Sequence, residues 1–197
     1  ASTLRGMIWS NCLRAGLACA RLGALAITAT AAADNDLDAA LQTLRAVGRE
    51  GEGNAAAARA WPVVARARSA DLPRLLRAMD GATPLAANWI RAAVDKIAGT
   101  GLAPAPELPV GELADFLFDA GHHPAARRLA FELIGRVEPG ITNKLLPGFL
   151  NDPSLELRRD AVQQLLAEAH ARRTADQRAA AALLFRQALT FARDVDQ

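Results

Sequence analysis

Three histidines, 21 carboxylates and 23 basic side chains are what this 197-residue chain has for chemistry. His122 and His123 are adjacent, and the third histidine, His170, is far along the chain. Two metal ligands on one helix face need a spacing of three or four, so an adjacent pair points apart. Asp119 supplies one further carboxylate and no fourth ligand is evident, so no metal site is expected, and the pair reads as a solvated turn before Pro124. No G-x-S-x-G is present, and no histidine lies near a serine–acid pair. The carboxylates Asp34, Asp36, Asp38, Glu50 and Glu52 sit at a helix start or in a break, where capping and solvation account for them. Gly48, Gly51 and Gly53 follow no strand and are not a phosphate loop. Neither a catalytic residue nor a cofactor is expected.

Arginines at a long, regular spacing are the stronger signal. Arg59, Arg91, Arg128 and Arg159 recur at intervals of 32, 37 and 31 residues. Ala93, Ala130 and Ala161 follow two positions on, then Val94, Phe131 and Val162, then Ile97, Ile134 and Leu165. These apolar positions share one helical face, with the arginines at its edge. Arg91, Arg128 and Arg136 have acids at i±4 (Asp95 and Glu132), which favours routine ion pairing. Trp61 and Trp89 lie on the same second helices, either as core or as anchors for a partner.

The elements that carry this pattern are helices. Ala, Leu and Arg dominate, the hydrophobic fraction is 51%, and no stretch alternates with period two. Helices are expected from Asp36 to about Val47, from Asn54 to about Ala67 with a kink at Pro62, and from Leu72 under an Asp71 cap. Others follow from Pro84 to about Ala98, and at about 111–120, 124–137, 141–150, 153–171 and 175–194. The longest break is 99–109, with three prolines. The expected fold is all-α, a right-handed α-solenoid of stacked antiparallel hairpins, because no single hairpin can bury its apolar face alone.

Residues 1–33 stand apart. Arg5, Arg14 and Arg21 precede the uncharged run Leu22–Ala33, and no acid occurs before Asp34. That is the pattern of a secretory signal peptide, with small residues Ala31 and Ala33 placing cleavage before Asp34 and Met7 as a possible start. The uncharged run is too short to span a membrane. Cleavage removes both cysteines, Cys12 and Cys19. It also removes three basic residues and no acids, so the net charge falls from +2 to −1. A near-neutral exported chain has no bulk attraction to nucleic acid, and no membrane association beyond the leader is expected.

DPSLELRRDAV, Asp152 to Val162, resembles the D-x-x-x-x-V-R-x-x-A element of HEAT-like repeats, with Asp152, Leu157, Arg158 and Ala161 in place. PAARRLAF carries Arg127 and Ala130 but has Gly121 at the Asp position, and LAANWIRAAV has Ile90 at the Arg position. The resemblance covers roughly 37–170. It implies a structural ladder between repeats through Asp152, Arg158 and Arg127, and a concave surface formed by the second helices. Residues 172–197 are similar to a tetratricopeptide-type helix, with Ala181, Phe185, Ala188 and Leu189 as its packing face and no following helix to cover it. Continuation into a longer protein is therefore expected. The function implied is a non-catalytic interaction scaffold or spacer that holds another protein, or downstream domains, through Arg59, Trp61, Trp89, Arg91, Arg128, Arg136 and Arg159. The alternative is a HEAT-like DNA glycosylase with a basic groove, which the mature charge disfavours. A carbohydrate-binding role has little support in a chain without tyrosine.

Overall fold

A computed structural model describes residues 34–99, 107–138 and 140–194. The expected leader, its cysteines and most of the 99–109 break lie outside the described residues. Nine α-helices occur among the described residues, and no strand. They are α1 (34–45), α2 (Asn54–Val64), α3 (Leu72–Arg77), α4 (Pro84–Ile97), α5 (Val110–Phe118), α6 (Pro124–Val137), α7 (Ile141–Leu145), α8 (Leu155–Thr174) and α9 (Arg178–Phe191). None is long and apolar enough to cross a membrane.

The helix starts follow from local chemistry. α4 and α6 begin with Pro84 and Pro124, whose fixed φ and missing N–H cost nothing at the first helical position. The Thr83 hydroxyl accepts from Ala86 N at 3.2 Å and donates to the Val47 carbonyl at 2.9 Å, so one side chain caps α4 and ties it to the turn after α1. His123 Nδ1 accepts from Ala125 N, and Ser154 Oγ accepts from Leu157 N at the start of α8. Two expectations are corrected. Asp36 lies inside α1 and does not cap it, because helix is present from residue 34. α2 stops at Val64, not near Ala67, two residues after Pro62, whose ring removes a hydrogen bond from the last turn.

Gly53 sets the entry to α2. Its φ is +80°, and an added Cβ would lie 3.2 Å from the Ala46 carbonyl oxygen and 3.4 Å from Val47 Cα. Both obstacles are backbone and cannot swing aside. Gly53→Ala is expected to cost about 1–3 kcal/mol, read as a lower urea midpoint at unchanged slope.

One apolar cluster runs from Leu37 of α1 to Ala161 of α8. Leu72, Leu75, Leu76 and Met79 all turn inward, as their spacing predicts. α3 packs on α4, α5 and α6; α6 packs on α5, α7 and α8; α9 packs on α8. The small residues Ala169 of α8 and Ala181 and Ala188 of α9 are buried, and small residues let packed helices approach closely. His170 meets Phe185 edge-on at 5.0 Å.

α1 is also held to α3 by charge. Arg74 donates to Asp38 at 2.8 Å and to the Asp34 carbonyl at 2.7 Å. The hydrogen bond from Arg74 holds the Asp38 carboxyl below its ordinary value. Because the folded value is depressed, the stability it supplies is present above about pH 4 and is lost as pH falls through that lowered value. The side chain is 61% exposed, so the contribution is under about 1 kcal/mol. Asp38→Asn should flatten the acid limb of the stability curve slightly and leave pH 7 stability within that margin.

Candidate functional site

The arginines of the stripe meet carboxylates of the neighbouring helix. Arg91 on α4 lies 3.9 Å from Asp95 on its own helix and 3.9 Å from Glu132 on α6. Arg128 donates to Glu132 at 3.0 Å and to Asp160 on α8. Arg159 pairs with Asp194 at 3.2 Å, beyond the end of α9. Arg136 reaches back to Asp95 at 3.8 Å, not to Glu132 as its i,i+4 spacing suggests. Glu132 is already taken by Arg128 and Arg91. One strip of alternating charge therefore joins α4, α6 and α8 through Arg91, Arg136 and Arg128, while Arg159 pairs separately with Asp194.

The strip is a network of part-exposed pairs. Partial burial weakens the charged form of Arg128, but hydrogen bonds to Asp160 and Glu132 outweigh this and raise its pKa above the ordinary value. Its guanidinium also lies 5.4 Å from the Phe131 ring centroid. Pairs at this exposure are each worth about 0.2–1 kcal/mol and are screened by salt. Arg128→Gln should therefore cost about 1–2 kcal/mol at low ionic strength, since it breaks two pairs at once. The loss should shrink in ~1 M salt, as measured by urea unfolding at both ionic strengths.

Arg59 stands apart from this network. It is exposed on α2, and no carboxylate among the described residues lies within ion-pair distance. Trp61 of α2 and Trp89 of α4 meet edge to face, with ring centroids 5.8 Å apart at 61°. Both are half-buried and rest on the main core, so each is part core and part surface.

Asp152, Arg158 and Arg127 form a buried junction. Arg127, 1% exposed, donates from Nη1 and Nη2 to the two Asp152 oxygens at 2.8 and 2.6 Å, and from Nε to the Leu117 carbonyl at 2.7 Å. Arg158 donates to the Asp152 carbonyl at 2.8 Å, and Ser154 N donates to its carboxylate at 2.8 Å. One arginine thus clamps α6, the end of α5 and the turn before α8. Arg127 reaches the carboxylate, while Arg158 of the same motif reaches only the main chain.

His122 is where the structure departs most from the sequence reading. It is not in a solvated turn. Its ring stacks on Phe116 at 4.0 Å, and Nδ1–H donates to Asp80 at 2.7 Å. The second Asp80 oxygen accepts from His123 N at 2.7 Å, and Arg45 donates to the Asp80 carbonyl. Asp80 and His122 are 42 residues apart, so no local spacing announces the contact. Below them an open cleft of about 560 Å³ separates α3 from α5, lined by Arg74, Arg77, Glu112, Asp115, Asp119 and His122 among others. Its charges are mixed. Among the described residues no group of three or more His, Cys, Asp or Glu is placed to hold a metal ion. The cleft thus offers polar contacts without a positioned nucleophile–base pair. Comparison with protein-family models, with curated proteins and with solved structures gives no match to this chain.

Proposed function

We propose that the chain is an exported, non-catalytic interaction scaffold. In this reading it is a right-handed α-solenoid of HEAT-like hairpins ending in a tetratricopeptide-like helix, with residues 1–33 as a cleaved leader. It holds another protein, or domains further along the same polypeptide, on the face formed by its second helices. The observation that carries the reading is the strip from Arg91 through Glu132 and Arg128 to Asp160, which links α4, α6 and α8 in chain order. Side-by-side second helices are what a stack of hairpins presents on one surface.

The same strip weakens the alternative of a DNA-processing groove. Its arginines are met by carboxylates, and phosphate contacts need cations with charge to spare. Duplex DNA should show no binding that rises steeply as salt falls.

The test is face-resolved cross-linking in the native host. A photo-reactive residue replaces Arg59 or Asn88 on the second-helix face, or Thr43 on α1 as a control; Arg59 and Asn88 are exposed and Thr43 is partly exposed. Discrete adducts from 59 and 88 but not from 43 support the reading. Equal labelling at all three, or none at any, contradicts it.

A further inference from the structure

We infer that the exposed side of α2, around Arg59, Val63 and Arg66, docks an acidic segment of the partner protein. The inference rests on the scaffold reading and narrows it. Along the strip, Arg91, Arg128 and Arg136 are met by Asp95, Glu132 and Asp160, and Arg159 is met by Asp194. At the α2 end that internal neutralisation stops. No acid occurs from Asn54 through Ala70. Arg59 on α2 and Arg66 in the turn that closes it are exposed, and no carboxylate among the described residues pairs with either.

The apolar part of the surface is in the same place. The exposed side of α2 carries Ala55, Ala58, Pro62 and Val63 beside Arg59. Val63 and Leu85 are 43% and 45% exposed. Trp61, two positions from Arg59, lies on the opposite side of α2, against Trp89 and the core. Arg is among the residues most enriched at the energetic centres of interfaces. Unpaired guanidiniums beside Pro62 and Val63 select a partner by charge and speed its approach. A segment bearing both carboxylates and apolar side chains complements both features.

The probe is a displayed library of amphipathic helical peptides whose polar positions vary among Glu, Lys and Gln, selected on the full chain. Expected binders carry a net negative charge, and their affinity falls about tenfold or more on Arg59→Glu/Arg66→Glu, with far-UV dichroism unchanged because both sites are exposed. Binders without acidic enrichment, acidic binders that the double variant retains, or no enrichment at all would overturn the inference. So would duplex DNA bound by the natural chain and lost in the variant, which would make the acidic partner a nucleic acid. Persisting cross-links from 59 and 88 alongside a failed selection would leave the scaffold standing and remove only the acidic partner. Loss of the face-selective cross-links would remove the scaffold reading itself.

Discussion

Arg127→Ala is expected to lower the unfolding free energy by about 3–5 kcal/mol, because it strands a buried carboxylate. For a chain of this size that is a fall of roughly 6–20 °C in Tm. Solvent has little access to the pair: Arg127 is 1% and Asp152 8% exposed. Removing Asp152 instead leaves the guanidinium unpaired and also frees Ser154 N, so Asp152→Ala should cost about as much. The double variant Arg127→Ala/Asp152→Ala is the informative one. With neither charge left to strand, its loss should be well below the sum of the single losses, by about 1–3 kcal/mol. Additive losses would mean that the pair contributes only through its separate contacts with Leu117, Ser154 and Arg158.

Phe149→Ala should be of similar size, about 3–5 kcal/mol, for a different reason. Phe149 is 1% exposed. Its ring stacks on Phe118 at 5.2 Å and meets Phe131 edge-on at 6.3 Å, so it joins α5, α6 and the short 3₁₀ turn after α7. Truncation removes a whole ring and leaves a cavity between three elements that cannot all close on it. Phe149→Leu should recover more than half of the loss, because it restores most of the volume. Denaturant unfolding of the three proteins settles the order. A Phe149→Ala chain within 1 kcal/mol of the natural one would mean that this junction is not part of the cooperative core.

Much of this was legible in the sequence, and the reason is physical. Helices announce themselves through local periodicity and caps, so α4 and α6 appear within a residue or two of where Pro84 and Pro124 put them. The inward positions of α3 follow from the same periodicity. The arginine spacing was visible too, because it is a property of the sequence alone. What each arginine touches was not visible, since the partner lies on another helix. Arg136 shows this directly: its local acid, Glu132, is taken, and it turns to Asp95. Asp80 and His122 show it again, with 42 residues between them and a stacking ring, Phe116, that sequence gives no reason to associate with a histidine turn. Asp36 failed as a cap for the opposite reason, since local propensity at a helix end is easily overruled by one extra turn of helix.

The proposal that α4, α6 and α8 follow one another along a stack is tested most directly by distances between labels on them. Asn88, Ala125 and Glu156 are exposed and occupy the same register position on the three helices. With Cys12 and Cys19 replaced by serine, pairs of nitroxide labels at these sites can be measured by electron paramagnetic resonance. Neighbouring helices pack about 8–10 Å apart. The two steps, 88 to 125 and 125 to 156, should therefore be short and alike, with the 88-to-156 distance close to their sum. An 88-to-156 distance no longer than either step would place the three helices around a common centre and contradict the stack.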